Sequence, residues 1–161
     1  MYLVDNNVLI ASAMIEHPHH TLAGAWTAEA LKSARPFGLP LVVALGFVRI
    51  VTQGRIFSKP LTAKQAGEWL DVIYRAPGFV QPEPSPQHMR AVIDLLTTLG
   101  TAGNLVNDAH LAALAIEHGA TLVSFDRDFL RFPIAPAWVN TIKKTTSPAS
   151  AVARHRHRKC A

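Results

Sequence analysis

An α/β fold with a small parallel sheet covered by helices is predicted for this chain by three observations. Short apolar runs, Tyr2-Leu3-Val4 and Thr121-Leu122-Val123-Ser124 above all, read as buried strands. The longer segments between them carry apolar residues at helical spacing, so strands and helices alternate along the chain. The 161 residues are the size of one domain, and a hydrophobic content of 49% is enough to bury its core.

Each element has its own local reason. After the first strand at Tyr2 to Val4, the run Val8, Leu9, Ile10, Ala11 and Ala13 suits a helix. Leu22, Ala25, Trp26, Ala30 and Leu31 are spaced for a helix over Thr21 to Ala34. Leu39-Pro40-Leu41 is a brief extended piece, and Val42 to Thr52, nearly all apolar, is a largely buried helix. Thr62 with Gln65 three residues on forms a capping pattern, opening a helix whose buried face is Trp69, Leu70, Val72 and Ile73. Ala76-Pro77-Gly78 stops that helix, and Phe79-Val80 can form a strand. Ser85 as N-cap and Pro86 at the first position begin the next helix, which runs through Val92, Leu95, Leu96 and Leu99 to a turn at Gly100 to Gly103. The clearest helix spans Asn104 to His118 and is closed by Gly119. A strand at Thr121 to Ser124 follows, with a last one expected at Trp138-Val139.

The net charge of +5 resembles a nucleic-acid signature until it is mapped. Lys143, Lys144, Arg154, Arg156, Arg158 and Lys159 lie in residues 143–161 with no acid among them, so the remainder carries one net negative charge. This tail reads as disordered; it either attracts phosphate or is a solvated extension. Cys160 is the single cysteine, so neither an intramolecular disulfide nor a thiolate metal site can be assembled. No apolar run reaches the roughly 18 to 20 residues needed to cross a bilayer, and MYLVDNN lacks the basic region of a signal peptide, so a cytoplasmic protein with no membrane partner is expected. Glycine-rich phosphate loops, a Ser/His/Asp order signal and internal repeats are not visible.

Three aspartates stand where an apolar segment meets a polar turn or helix: Asp5 in MYLVDNN, Asp108 in NLVNDAHLAALA and Asp126 in LVSFDRDF. In a parallel sheet the ligand crevice lies at the C-terminal strand ends, so Asp5 and Asp126 would project from one edge. Asp108 sits among Leu105, Leu111, Ala112 and Ala115, where the alanines allow close approach to the sheet. Like charges buried together cost several kcal/mol per ion. A divalent cation with oxygen ligands relieves that cost, as does protonation of one member. A plainer reading stays open for two of the positions: Asp5 could cap the helix after it, and Asp126 or Asp128 a short helix through Phe129 to Phe132.

Asp5-Asn6-Asn7 after an apolar strand, the DAHLAALA core of Asn104 to Ala115, and Ser124-Phe125-Asp126-Arg127-Asp128-Phe129 together resemble the three acidic motifs of PIN-domain ribonucleases, specifically the VapC-type toxins of bacterial toxin–antitoxin pairs. The resemblance implies a PIN-like three-layer α/β/α fold over residues 1–142, with residues 143–161 as a basic tail outside it. It also implies Mg2+ or Mn2+ in an acidic pocket, endonucleolytic cleavage of structured RNA such as tRNA or rRNA with inhibition of translation, a homodimer, and inhibition by a small cognate antitoxin. Asp5 and Asp108 match the family's principal metal ligands and Asp126 its third acid, with Asn7 and Ser124 as supporting residues. There is one departure: many PIN domains carry a glutamate in the helix after the second strand, and Ala44-Leu45-Gly46-Phe47 offers Gly46 there. The pocket would then hold fewer acids, with Asp128 as a substitute, and either the metal site is weaker or activity is reduced.

A hard cation held by these acids could activate water and polarise a phosphate. RNA contact is expected from Arg49, Arg55, Lys59 and Arg127, whose alternative reading is ordinary surface charge. Glu16-His17-Pro18-His19-His20 looks like a metal cluster, yet the family often has histidine at this junction. On the Asp108 helix, His110 is placed to border the pocket and His118 to interact with the helix C-terminus. Trp26, Trp69 and Trp138 read as core. Val42 to Thr52 and the Trp69 helix carry enough apolar surface for a dimer interface or an antitoxin groove, unless the monomer buries it. The absent glutamate keeps a second function open, a non-catalytic module of the same fold that binds RNA or a protein.

Overall fold

Tyr2–Val4 (β1) forms the centre of a four-stranded parallel sheet of order β3-β2-β1-β4. The computed structural model describes residues 1–132. Leu3 and Val4 are fully buried, which requires cover on both faces and explains the uninterrupted apolar run. Phe37–Gly38 (β2) pairs on one side with Tyr2 opposite Phe37, and Thr121–Val123 (β4) on the other with Val4 opposite Val123. Phe79–Val80 (β3) adds beyond β2. Gly38 permits this pairing, because a Cβ there would lie 2.9 Å from the Tyr2 carbonyl.

Six α-helices connect the strands: α1 (Asn6–Ala13), α2 (His20–Lys32), α3 (Leu41–Val51), α4 (Ala63–Tyr74), α5 (His88–Leu99) and α6 (Val106–Glu117). The β1-to-β2 and β2-to-β3 crossovers use α1 to α4, which pack in succession through α1 with α2, α1 with α3 and α3 with α4. The chain then reverses, and α5 and α6, packed on each other, carry it back to β4 on the far side of β1. Right-handed crossovers in opposite directions place the two helix groups on opposite faces, giving three α/β/α layers. The direction of winding changes between β1 and β4, so the crevice of such a sheet falls at the ends of these two strands.

The Thr62–Gln65 capping box is present, and Gly100 at φ 68° ends α5. Three boundaries differ from expectation. The second strand lies at Phe37–Gly38; Leu39 only donates to the Val80 carbonyl, and Pro40 caps α3 with Leu41 already helical. Ser85 does not cap α5: its hydroxyl donates to Glu117 at 2.9 Å, and the helix starts at His88. Asn104 lies in a 3-10 turn, Gly103–Leu105, so α6 begins at Val106 and Asp108 falls in its first turn. Trp26 packs on Tyr2 and Phe37, and Trp69 on Phe47, with ring centroids at 5.5, 6.2 and 4.9 Å. The strand expected at Trp138-Val139, Cys160 and the basic tail lie outside the described residues. Among those residues no helix is long and apolar enough to cross a membrane.

Candidate metal centre

Asp5 leaves the end of β1 and caps α1. Its Oδ1 accepts from the Asn6 amide at 2.6 Å, which is the plainer reading of this residue. Its other oxygen does more. Oδ2 accepts from the Asn7 side-chain amide and from the Ser124 hydroxyl, both at 2.7 Å. Asn7 also donates to Ser124 Oγ and accepts from the Phe125 amide, at 2.9 and 3.1 Å. The ends of β1 and β4 are thereby fastened by side chains beyond the last ladder bonds, and Asp5 is held in place at 9% exposure.

Ser124 Oγ further accepts from the Asp126 amide at 2.9 Å, and Asp126 Oδ1 caps the 3-10 turn Arg127–Arg131 by accepting from the Asp128 amide at 2.8 Å. This turn aims Asp126 and Asp128 across at α6. One carboxylate oxygen from each of Asp108, Asp126 and Asp128 falls within 4.8 Å of the others. Asp128, which the sequence offered as a substitute acid, is therefore a full member of the cluster, while buried Asp5 lies near enough for its charge to act on Asp108. Asp126 and Asp5 act as helix caps and as cluster members at once, because a carboxylate has two oxygens and the cap uses one.

Negative charge at this edge is only partly compensated. Among the described residues Asp108 meets no hydrogen-bond donor and no cation; Asp128 faces only the exposed Arg131, at 3.9 Å. Burial and the charges of Asp5, Asp126 and Asp128 push the Asp108 carboxyl up from 3.8 to about 6. Asp5 is also raised, by burial first and by Asp126 last, against the lowering effect of the Ser124 and Asn6 hydrogen bonds. Three carboxylates within reach of one another, with Asp5 beside them and only the distant Arg131 facing one of them, offer the hard oxygen donors that a divalent cation requires, and the donor set fits one.

A cavity of about 430 Å³ opens beside the acids, between α3 and α6. Asp5, Asn6 and Asp108 line it on one side and Val42, Gly46 and Arg49 on the other. Arg49 is thus the expected cation that the fold brings to the acids. Arg127 is exposed on the turn between Asp126 and Asp128. Lys59 instead lines a second cavity with Met14 and Ile15, at the end of α1 remote from Asp5, and Arg55 is exposed in the loop after α3.

His110 does not line this cavity. Its ring turns to α5, where its Nδ1 lies 2.7 Å from Nε2 of buried His88, whose Nδ1 meets Glu117 at 3.0 Å. The histidines after Glu16 do not converge either: His20 Nδ1 contacts the Ala11 carbonyl, while His19 stacks on Phe125, centroids 4.7 Å apart, beside the acids. His118 is the C-cap of α6 and its Nε2 lies 2.9 Å from the Glu83 carbonyl. The polar residues of the cavity lining missed by sequence reasoning are Asn6 and Asn107, each the neighbour in sequence of an aspartate already singled out. On α3, Val43, Ala44, Phe47 and Val51 are buried, whereas Leu41 is exposed and Val42 and Leu45 remain exposed at the cavity rim.

Comparison with known proteins adds three findings. The PIN domain family model matches residues 2–135. Ribonuclease VapC37 of Mycobacterium tuberculosis is 41% identical over 136 residues, covering 82% of this chain and 92% of that protein. Ribonuclease VapC31 of the same species is 35% identical over 132 residues, covering 82% and 93%. Among solved structures, M. tuberculosis VapC20, described as a Sarcin-Ricin loop cleaving toxin, superposes with a TM-score of 0.62 at 14% identity over 81% of this chain and 93% of that one. VapBC2 from Rickettsia felis, bound to a DNA fragment from its promoter, gives 0.58 at 22% identity over 82% and 92%. These two likenesses are likenesses of fold.

Proposed function

The chain belongs to the PIN domain family, and from that premise we propose that it is a metal-dependent endoribonuclease, the toxin of a toxin–antitoxin pair, which cleaves structured RNA and so inhibits translation. The observation that carries this reading is the convergence of Asp108, Asp126 and Asp128, beside Asp5, where Asp108 meets no cation among the described residues. Relatives of 35–41% identity carry the name ribonuclease, which supports the substrate class.

Asp5, Asp108, Asp126 and Asp128 would hold Mg2+ or Mn2+. Such an ion supplies Lewis-acid polarisation of the scissile phosphate and a bound water of lowered pKa. The remaining work belongs to the protein. Ser124 and Asn7 fix the Asp5 carboxylate so that it does not rotate away from its neighbours' repulsion. Asp126 Oδ2, which meets no donor among the described residues, is placed to accept a proton from an attacking water. Arg49, across the cavity, is the phosphate contact, and Arg127 a second on the rim. A cognate antitoxin would cover the exposed Val42 and Leu45 beside the acids. A homodimer and a cytoplasmic location complete the reading.

The absence of an acid from α3 favours a second reading, a PIN-fold module that binds RNA without cutting it. Purified protein, freed of any co-purifying inhibitor, incubated with total bacterial RNA in Mg2+, Mn2+ or EDTA separates the two. Metal-dependent fragments that vanish with Asp5→Ala support the nuclease; intact RNA that is nonetheless retarded on a gel supports the binder.

A further inference from the structure

His19 stands between α1 and α2 with its side chain exposed. Its backbone opens α2, the carbonyl accepting from the Ala23 amide at 2.9 Å, but its side chain makes no capping hydrogen bond. Among the described residues neither ring nitrogen has a hydrogen-bond partner; only the backbone amide does, donating to His17 Nδ1 at 3.2 Å. The ring lies instead on Phe125, with centroids 4.7 Å apart and planes 23° from parallel. Phe125 is itself held by its backbone, whose amide donates to Asn7 Oδ1 at 3.1 Å. Its neighbours in the chain are Ser124, bonded to Asp5, and Asp126 of the acidic cluster. The Cα atoms of Phe125 and Asp126 are about 3.8 Å apart, so the stacked rings stand at the margin of the acids. Phe125 takes one face of the imidazole and His17 approaches only at a tilt of 48°, centroids 5.7 Å away, which leaves the exposed surface of His19 to its edges and opposite face. The tryptophans offer nothing similar, since Trp26 and Trp69 pack on core rings. Tyr74 is exposed but meets Phe79 edge-on at β3, across the sheet from β4.

We propose that the His19–Phe125 stack is a nucleobase platform of the RNA site, on which an unpaired base beside the scissile phosphate lays its face against the exposed side of His19. The inference rests on the ribonuclease reading above. Bases in loops and bulges can be splayed out and stacked on aromatic side chains, whereas bases within a helix cannot. A phosphate contact such as Arg49 carries no such information. The platform therefore directs the acids to unpaired segments of a structured RNA, and because every base has a π-face it does so with little regard to sequence. Phe125, fixed by the same bonds that fasten β1 to β4, orders the imidazole before the base arrives.

A uridine oligoribonucleotide carrying one 2-aminopurine, titrated with the full chain in EDTA so that nothing is cleaved, tests this through the fluorescence that 2-aminopurine loses on stacking. The wild-type protein should bind the oligomer and quench it. His19→Ala should bind about 5- to 150-fold more weakly and quench less. His19→Phe should restore both, and His19→Leu, which has bulk but no ring, should restore neither. Wild-type affinity and quenching in His19→Ala, alongside weakened binding in Arg49→Ala, would overturn the platform and leave the RNA reading standing. Recovery in His19→Leu as full as in His19→Phe would make His19 a packing residue, and recovery in His19→Lys but not in His19→Phe would make it a phosphate contact; either overturns the proposal. Failure of the wild-type chain to bind the oligomer would overturn both readings.

Discussion

Asp108→Asn should stabilise the metal-free protein while removing the proposed cation site. Asp108 is raised from 3.8 to about 6 by burial and three neighbouring carboxylates. Its folded-state pKa thus exceeds its unfolded one, so the folded protein binds the proton more tightly. The sign follows from linkage: in the absence of metal, the contribution is most favourable below about pH 4 and is lost as pH rises through about 6. At about 1.36 kcal/mol per pKa unit the loss has an upper bound of about 3 kcal/mol. The side chain is half-buried, and solvent screening reduces this to about 1–2 kcal/mol. The N-terminal end of α6, which favours a carboxylate, trims it further. Asparagine keeps the shape and removes the charge. At about 2–4 °C per kcal/mol for a chain of this size, Tm in EDTA at pH 7 should rise by about 2–8 °C, and the difference from wild type should shrink towards zero at pH 4. With Mn2+ the order reverses, because ligand binding stabilises only the wild type. Thermal melts of both proteins at pH 4, 5, 6 and 7, with EDTA and with Mn2+, measure all of this. An asparagine variant less stable than wild type in EDTA at pH 7, or a difference that stays flat between pH 4 and 7, would refute the picture of an Asp108 carboxylate repelled by its acidic neighbours.

Further outcomes follow from the same geometry. Ser124→Ala removes a donor to Asp5 and an acceptor for Asn7 and the Asp126 amide, so urea unfolding should show a loss of about 1–3 kcal/mol and cleavage should fall with it. His88→Ala strips Glu117 and His110 of their buried partner; stability should drop by about 2 kcal/mol or more with Mn2+ affinity unchanged, and a change in Mn2+ affinity would show that this network reaches the metal centre. Arg49→Ala should weaken RNA binding and lower the slope of log affinity against log salt by about one, as measured by filter binding of the variant in EDTA; an unaltered slope would remove Arg49 from phosphate contact.

The acidic residues and the framework that carries them were legible in the sequence because both are local. Leu3 and Val4 must be buried wherever they go, Thr62 and Gln65 form their box within one turn, and an aspartate just past an apolar strand sits at that strand's end whatever surrounds it. The order of strands and helices then leaves a parallel sheet with its crevice at those ends. What only the tertiary structure decided are relations between segments far apart in the chain. Ser85 turned to Glu117 instead of capping its own helix, because a carboxylate from α6 accepts two of its hydrogen bonds. His110, two residues from Asp108 and hence on another face of α6, went to His88 rather than the cavity. Asp128 joined the cluster because the short turn that Asp126 caps carries it towards α6. Gly46 read as a missing acid. In the fold it lies against the Asn6 side chain, and this approach of α3 to the start of α1, forty residues away, is set by helix packing rather than by any local preference of glycine or asparagine.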